Sequence, residues 1–334
     1  MRLEFVISPQ DEGRRAVDVL QFRHGLSGTL VKRIRLYGEL TCNGQPIWMI
    51  APIHAGDRIV ATLAGVPPSE RSPDALGGED LQAAFQADGG RILLLDAHLC
   101  VLEKPPFWLS HPNRDESRLA VTDFVRTLTG VVGVHPVNRL DSGTSGLMIV
   151  ALDPYGHDTL SRQSRAGECV REYVGIVHGT PVPPGGRIDA PIGVDPENKV
   201  RRTVLADGKD AVTDYRTESS REVETGAGRA VISVVRFTLD TGRTHQIRVH
   251  ARHAGIPLIG DPLYGIRYGS SCEGYAEPSL VLDGRISRQS LHAARLGFRH
   301  PVEGDLRDFE SALPRDMQDV LDGNRKRNVA EEPG

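Results

Sequence analysis

The sequence has little cysteine and no long apolar run. Its four cysteines, Cys42, Cys100, Cys169 and Cys272, lie far apart and form no C-x-x-C pair. This spacing excludes a zinc ribbon and a disulfide framework, and it is typical of a protein kept in a reducing cytoplasm. No stretch approaches the roughly 18 apolar residues of a membrane span, and the N-terminal segment lacks the apolar part of a signal peptide. We therefore expect a cytoplasmic protein without a membrane partner.

Motifs for the common cofactors are also lacking. The sequence contains no P-loop, no G-x-G-x-x-G at a strand-to-helix turn and no zinc-ligand spacing, so we expect no nucleotide, redox or metal cofactor. The net charge of −4 over 334 residues gives no general sign of a nucleic-acid partner. The charge is unevenly distributed, however. Residues 12–65 hold seven Lys and Arg against four Asp and Glu, whereas residues 66–90 hold one against five, so a basic module precedes an acidic segment.

The length and the 39% of hydrophobic residues suit two domains with buried cores. Residues 66–90 combine Pro, Gly, Ser and acidic residues, which predicts a linker with one helical turn around Leu81–Phe85. A larger domain is predicted over 91–315, and a polar tail over 316–334. Secondary structure within the larger domain is predicted as a hairpin at 91–104, strands at 145–152, 171–178 and 230–239, and helices at 119–128 and 244–254. Strands and helices mix without a βαβ rhythm, which predicts an α+β fold.

A small N-terminal module is predicted over residues 12–65. The pattern of residues 26–36 predicts a helix with one apolar face. The turn pair Asn43-Gly44 follows and predicts a hairpin, and a last strand is predicted over Arg58–Leu63. By charge pattern alone, this module is a small α+β lobe carrying a solvated, charged helix.

The same pattern of a basic helix, an N-G turn and A-G-D-x-I also resembles the alpha-L RNA-binding module first described in a small-subunit ribosomal protein. The resemblance implies that the helix face bearing Lys32, Arg33 and Arg35 lies on structured RNA. Contacts of this kind go to phosphates, which hold register without reading sequence.

The densest run of unusual residues is HPVNRLDSGTSG, at positions 135–146. It places Asp141 on a tight turn of Gly, Ser and Thr between two predicted strands. A carboxylate in this position is reachable by solvent and is held by buried backbone on both sides, which suits a reactive group. The alternative is an aspartate that caps its own turn through its side chain.

A second polar run is TGRTHQIRVHARH, at positions 241–253. Thr244 is placed to cap a helix that carries Arg243 and Arg248. We interpret the three histidines of this run, at positions 245, 250 and 253, as structural or RNA-facing, because no metal spacing is present. A third run, REYVGIVHG, contains Tyr173 as the one aromatic residue of an apolar strand, where a packed core ring is the usual outcome.

The runs HPVNRLDSGTSGLMIVA, REYVGIVHG and GRTHQIRVHARHAGIPLIGDPLYG, with LHAARLGFRHP later, together resemble the RluA-type family of pseudouridine synthases. They follow that family's order and cover roughly residues 91–315. The resemblance implies an α+β pseudouridine synthase fold, with a long mixed, largely antiparallel sheet flanked by helices. It also implies an enzyme that isomerises uridine to pseudouridine in structured RNA.

The resemblance implies a role for four residues, and a fifth is predicted as an RNA contact. Asp141 corresponds to the catalytic aspartate of R-L-D, and Arg248 to the arginine that pairs with it. Tyr173 matches the tyrosine that packs against the target base. Arg139 matches the arginine that can enter the space left by the flipped uridine, and Arg243 is expected to bind the substrate RNA.

The implied chemistry suits these residue types. Isomerisation breaks the bond from ring nitrogen to sugar, turns the base and rejoins it through carbon, so it requires no imported group. Bond cleavage builds positive charge on the sugar, which the Asp141 carboxylate can stabilise or attack, and Arg248 at salt-bridge distance would favour the charged carboxylate. Whether Asp141 attacks the sugar or takes a proton from its second carbon stays open. Asn138 replaces the family's usual His before R-L-D, which bears on RNA contacts more than on the chemistry.

Two other functions are alternatives. The turns that begin at Asp141 and Asp240 look like those of an aspartic protease, in which two carboxylates share a proton. Against this, the second turn continues into a polar helix start, and such proteases are all-β. The other alternative is a non-catalytic RNA-binding or assembly protein on the same scaffold. The expected partner is ribosomal RNA first, because of the N-terminal module, and transfer RNA second, and a monomer is the default.

Overall fold

The computed structural model describes residues 2–63, 78–112, 118–267 and 275–323. Its N-terminal lobe is a four-stranded antiparallel sheet with two helices. The strand order of this sheet is β1-β4-β2-β3. The elements of the lobe are β1 (Arg2–Val6), α1 (Ala16–Phe22), α2 (Gly28–Tyr37), β2 (Gly38–Cys42), β3 (Gln45–Pro46) and β4 (Arg58–Leu63).

The lobe forms largely as its sequence predicts. Ser27 caps α2 by accepting a hydrogen bond from the Leu30 N–H at 3.1 Å. Asn43 and Gly44 both take positive φ in the predicted turn, as a two-residue hairpin requires. The boundary differs, because β1 pairs with β4 along its whole length. The lobe therefore begins with β1 and not at residue 12.

The larger domain contains the remaining elements. Its first half holds α3 (Gly78–Ala87), β5 (Arg91–Leu95), β6 (Leu99–Lys104), α4 (Val121–Thr129), β7 (His135–Pro136), β8 (Ser145–Ala151), α5 (Pro154–Arg165) and β9 (Val170–His178). Its second half holds β10 (Gly185–Asp189), β11 (Ile192–Val194), β12 (Arg202–Val204), β13 (Val212–Thr225), β14 (Gly228–Leu239), α6 (Gln246–His253), α7 (Glu277–Asp283), β15 (Leu291–Arg299), β16 (Leu306–Glu310) and α8 (Arg315–Leu321). None of the described helices has the length and apolar character needed to cross a membrane.

Ten strands of the described chain form one mixed sheet. The main path runs β10-β13-β14-β9-β15-β8-β6-β5, with β16 beside β15 and β7 beside β8. The pair of β15 with β8 is parallel, and the other pairs are antiparallel. A separate small hairpin joins β11 to β12. The expected α+β class, with a long mixed, largely antiparallel sheet flanked by helices, is confirmed.

The linker predicted over 66–90 is wrong in its second half. Residues 78–87 form the helix α3, where one turn was expected, while residues 64–77 lie outside the described chain. Leu81 and Phe85 are buried, and Phe85 stacks on Phe124 of α4 with ring centroids 4.0 Å apart. So short a helix has little intrinsic stability, and this packing supplies it. The local sequence pattern therefore predicts a shorter helix than the one that forms.

The tail predicted over 316–334 is wrong at its start. The helix α8 buries Met317 and Val320 in the domain core. Asp316 also accepts hydrogen bonds from the buried Arg288 guanidinium at 2.7 and 2.8 Å. Three apolar side chains in seven residues are a weak signal in sequence, yet Met317 and Val320 bury completely. Residues from 324 onward lie outside the described chain.

The N-terminal lobe contacts the larger domain through α5. The Ser27 N–H donates to Asp158 at 3.1 Å, and Arg162 donates to the Gly25 carbonyl. Tyr155 packs against the hydrophobic core of the lobe. The contact joins the loop before α2 to the outer face of α5, so the basic helix has a defined place beside the larger domain.

Gly146 lies where β8 pairs with β15. Its φ is +110°, and a Cβ atom there would lie 2.3 Å from the Ala293 carbonyl oxygen. We predict that Gly146→Ala lowers the free energy of unfolding by about 3 kcal/mol or more, because the clash is with backbone. Gly130→Ala is the control, since Gly130 has a φ of +69° but open space around it, and should cost about 1 kcal/mol. Urea unfolding measures both, and equal losses would contradict the steric explanation.

Candidate active site

Asp141 lies on the predicted tight turn between β7 and β8. The Thr144 N–H donates to the Asp141 carbonyl at 3.0 Å. Ser110 Oγ donates to the Leu140 carbonyl at 2.8 Å and accepts from the Leu140 N–H at 2.9 Å. The Asp141 side chain is 24% exposed and is bonded to Arg248. The turn is thus held by its neighbours, and the carboxylate is directed to a partner outside its own turn.

Two buried basic side chains hold the next carbonyls of this turn. Lys104, 1% exposed, donates to three backbone carbonyls, among them that of Ser142 at 3.0 Å. Arg288, also 1% exposed, donates to the Gly143 carbonyl at 3.0 Å. Burial lowers the pKa of Lys104 well below its ordinary value, and the charge of Arg288 lowers it further. With its carbonyls bonded in this way, the turn has little freedom to relax.

Arg248, on α6, joins two carboxylates. Its Nη1 donates to Asp141 Oδ2 at 3.0 Å, while Nε and Nη2 donate to the two oxygens of Asp261 at 2.7 and 2.8 Å. Asp261 is fully buried and also accepts the N–H groups of Leu263 and Tyr264. Burial by itself would lower the pKa of Arg248, but the hydrogen bonds and charges of both carboxylates raise it above its ordinary value. A permanently charged guanidinium therefore faces Asp141.

A small, open cleft lies over this ion pair. Tyr173 lines it and is 7% exposed, and burial raises its pKa to about 12, so the phenol is neutral at physiological pH. The exposed side chains of Arg139 and Arg243 line the cleft as well. Residues from three separate runs of the sequence thus meet at one site, as expected for Asp141, Arg248, Tyr173, Arg139 and Arg243.

The start of α6 differs from the prediction. Thr244 is exposed and does not cap the helix. His245 occupies the N-cap position with a φ of +60°, and Gln246 accepts the Arg243 N–H at 2.9 Å. The histidines of this run also differ from one another. His250 is buried between two hydrogen-bond partners, a hydroxyl and a carbonyl, and is structural, whereas His245 lines the cleft.

Asn138 takes a structural place next to the site. Its amide donates to the Leu147 carbonyl at 3.2 Å and accepts the Ile149 N–H at 2.8 Å. The side chain therefore bonds to the backbone of β8 in the way that a neighbouring strand would. This explains how Asn replaces the His expected before R-L-D without disturbing the turn.

The three basic residues predicted on α2 lie outside the cleft lining. Lys32 and Arg35 are exposed on the N-terminal lobe, whereas Arg33 is partly buried. Burial lowers the pKa of His135 and of His157, and the charge of Arg33 contributes to both shifts. Arg33 therefore lies close to the larger domain, and of the three residues Lys32 and Arg35 are the exposed ones.

Several residues of the site were not predicted from the sequence. Asp261 and Tyr264 belong to the quoted run GDPLYG, but an acid after Gly and before Pro is usually a turn residue. Lys104 carries a clearer signal, because it is one of only five lysines and ends an apolar strand. Ser110 carries no signal in sequence. Outside the cleft, one group of possible metal ligands in the described chain, His300 with two exposed acids, lies at the turn between β15 and β16.

Known proteins are similar to this chain in sequence and in fold. Residues 98–253 match the family profile described as RNA pseudouridylate synthase. The uncharacterized RNA pseudouridine synthase YjbO of Bacillus subtilis is 34% identical over 305 residues, which cover 90% of this chain and 95% of that protein. The chain belongs to the RNA pseudouridine synthase family. It is thus an isomerase that acts on uridine in RNA.

Other similar proteins are also named as pseudouridine synthases. Ribosomal large subunit pseudouridine synthase D of Pseudomonas aeruginosa is 35% identical over 285 residues, covering 84% of this chain and 82% of that protein. The solved structure of human RNA Pseudouridylate Synthase Domain Containing 4 has a TM-score of 0.56 at 25% identity, covering 73% of this chain and 95% of that one. The aspartic protease alternative is wrong. Asp240 pairs with Arg187 and Asp141 with Arg248, so each carboxylate has its own cation.

We predict that Arg248→Lys weakens both stability and turnover of the synthase. A lysine keeps the charge but cannot span two carboxylates with a planar fork. The free energy of unfolding should fall by about 3 kcal/mol, because buried Asp261 loses its bidentate partner. Turnover should fall about 100-fold, because the Asp141 carboxylate is no longer held in position.

Arg252→Lys is the control for this variant. Arg252 lies on the same helix and donates to the backbone carbonyls of Tyr264 and Gly265. It should change the free energy of unfolding by about 1 kcal/mol. Urea unfolding and release of tritium from RNA labelled at uridine carbon 5 measure the two effects. Wild-type turnover in Arg248→Lys would contradict the bridging role.

Proposed function

We propose that the synthase isomerises uridine within folded RNA through Asp141, paired with Arg248, at the cleft floor. The observation that carries this proposal is the 3.0 Å hydrogen bond between Arg248 Nη1 and Asp141 Oδ2. It places a negative charge, with a permanent counter-charge, where solvent can reach it. The bond from uracil N1 to sugar C1′ breaks with its electron pair on the base, and positive charge builds on the sugar next to the carboxylate.

The two routes for Asp141 share this starting arrangement. In one route the carboxylate attacks C1′, and in the other it takes the proton from C2′. In both routes the base then turns and its C5 bonds to C1′, as the bond from Asp141 to C1′ breaks in the first route and as C2′ regains its proton in the second. The C5 proton then leaves and N1 gains a proton. The product has the atoms of the substrate, so the chemistry needs no further reactant. Asp141 and Arg248 are therefore the groups that we assign to the reaction itself.

Tyr173 and Arg139 are the groups that we assign to the flipped nucleotide. The buried, neutral ring of Tyr173 offers a face on which a pyrimidine can stack without added charge. The guanidinium of Arg139 is exposed at the cleft and can occupy the space that the base leaves, which offsets part of the cost of unstacking. Arg243 lines the same cleft and can bind a phosphate next to the target.

Ribosomal RNA is the substrate that we propose, with transfer RNA as the second candidate and the cytoplasm as the place of action. Relatives named ribosomal large subunit pseudouridine synthase D support this choice, the one from Pseudomonas aeruginosa being 35% identical. The basic helix α2 supports it as well, because Lys32 and Arg35 are exposed next to the larger domain. Mapping of pseudouridine in RNA from cells with and without the gene identifies the modified position.

We predict that Asp141→Ala abolishes isomerisation while the protein still folds. RNA labelled with tritium at uridine carbon 5 should release tritium with wild type and none above background with the variant, because C5 loses its hydrogen only after the base is rejoined. Asp240→Ala is the control, since Asp240 is a surface partner of Arg187 and should leave release within about twofold of wild type. Normal release by Asp141→Ala would refute the assignment.

We also predict that charge reversal on α2 weakens RNA binding without affecting the chemistry. In Lys32→Glu and Arg35→Glu the RNA affinity should fall, and the slope of log affinity against log salt should drop by about one per lost phosphate contact. Single-turnover rates at saturating enzyme should stay unchanged, because these residues lie outside the cleft lining.

Arg229→Glu is the matched control for charge reversal. Arg229 is exposed at the far end of β14, about 33 Å along the strand from Leu239 at the cleft by the usual rise per residue. It should leave the RNA affinity unchanged. An equal loss in Arg229→Glu and Lys32→Glu would show that only net charge matters and would refute an RNA-binding role for α2.

A further inference from the structure

His245 holds an unusual backbone conformation at the edge of the cleft. Its φ of +60° and ψ of +20° are left-handed, which is uncommon for any residue with a side chain. The side chain is only 15% exposed and lines the cleft beside Asp141 and Arg248. A strained conformation in a packed site is a reason to ask what the side chain does there.

The hydrogen bonds around Tyr264 fix the tautomer of His245. The Arg202 N–H donates to Tyr264 Oη at 2.7 Å, so this oxygen already acts as an acceptor. Tyr264 is 2% exposed, and its hydroxyl hydrogen requires a partner. His245 Nδ1 lies 2.8 Å from Oη and accepts that hydrogen. A neutral imidazole that accepts at Nδ1 carries its own hydrogen on Nε2.

The Nε2 atom of His245 has no hydrogen-bond partner within the described ranges. Its nearest acidic neighbour is Asp141 Oδ2 at 4.0 Å, which is beyond hydrogen-bond distance. The ring also stays close to Tyr264, with centroids 5.5 Å apart in an edge contact. The ring is therefore held at one nitrogen, and the other nitrogen is directed to the cleft with its donor unused.

The ring is neutral at physiological pH. Burial lowers the pKa of His245, and the positive charges of Arg248 and Arg202 lower it further. The negative charges of Asp141 and Asp261 act in the opposite direction, but the pKa stays below its ordinary value of 6.5. A neutral donor therefore faces the cleft without competing with Arg248 for the Asp141 charge.

We propose that His245 is a further catalytic residue of the synthase, whose fixed Nε2–H donates a hydrogen bond to a carbonyl oxygen of the detached uracil. This assignment rests on the proposed function of the cleft. When the N1–C1′ bond breaks, its electron pair stays on the base, and the negative charge spreads onto the carbonyl oxygens. A preorganised donor in a partly dry site stabilises charge at the moment when it develops.

The tautomer excludes the opposite role. A protonated Nε2 cannot take the C5 proton of the turned base, so His245 is a donor to the base and not a general base. No proton is transferred to or from the ring in this step. Tyr264 is then a positioning residue, because its hydroxyl keeps the Nε2 hydrogen in place while its ring contacts Arg248, whose Cζ lies 5.0 Å from the ring centroid.

Three variants test this assignment. His245→Leu removes the donor, and single-turnover release of tritium from [5-³H]uridine-labelled RNA of cells lacking the gene should fall about 100-fold. His245→Gln is the matched control, because its amide nitrogen lies as many bonds from Cα as Nε2 does, and it should stay within about tenfold of wild type. Tyr264→Phe keeps His245 but frees its tautomer, and the rate should fall about tenfold. RNA affinity should be unchanged in all three.

The ring itself is observed by nitrogen-15 NMR of histidine-labelled protein without RNA, with the His245 signal assigned by its loss in His245→Gln. Wild type should show a protonated Nε2 and an unprotonated Nδ1, and Tyr264→Phe should show a mixture. An unprotonated Nε2 in wild type, or a wild-type rate in His245→Leu, would overturn the proposal. Wild type that releases no tritium would instead refute the proposed function, and the uracil contact with it, while the NMR result judges the tautomer independently.

Discussion

The site depends on one guanidinium shared by two carboxylates. Asp261 is buried and cannot keep its charge without partners, so it binds Arg248 through both oxygens and accepts two backbone N–H groups as well. This bidentate contact fixes the plane of the guanidinium. The remaining Nη1 donor then has one direction, toward Asp141 Oδ2. The position of the Asp141 carboxylate is thus set by Asp261, an acid to which we assign no part in the reaction.

The surrounding fold holds both ends of this arrangement. On one side, Ser110, Lys104 and Arg288 donate hydrogen bonds to three carbonyls of the Asp141 turn, those of Leu140, Ser142 and Gly143. On the other side, α6 carries Arg248, and the strained His245 occupies its N-cap position. Buried basic groups are costly to desolvate, and here each is compensated by several acceptors. The same hydrogen bonds that restrain the turn also keep the Asp141 carboxylate at the cleft.

The fold was predictable from sequence where neighbouring residues by themselves favour one local structure. Asn43-Gly44 requires positive φ at two positions, and the turn forms there. The apolar run at 145–152 becomes the buried central strand β8. The helix α8 was missed and α3 was predicted as a single turn, because each has only two apolar side chains that are buried, such as Phe85 and Met317. Their stability comes from distant partners in the core, which a short sequence window does not contain.

By itself, the sequence determined the residue types of the site and their order, because the R-L-D turn, the strand of Tyr173 and the arginine-rich helix are each local patterns. The tertiary structure alone decided which groups share charge. Asp141 and Arg248 are 107 positions apart, and Asp261 fixes the direction of their contact. It also decided the state of His245, which the sequence analysis treated as structural or RNA-facing. Burial keeps that ring neutral, and the hydroxyl of Tyr264 selects its tautomer. Both depend on neighbours that only folding brings next to His245.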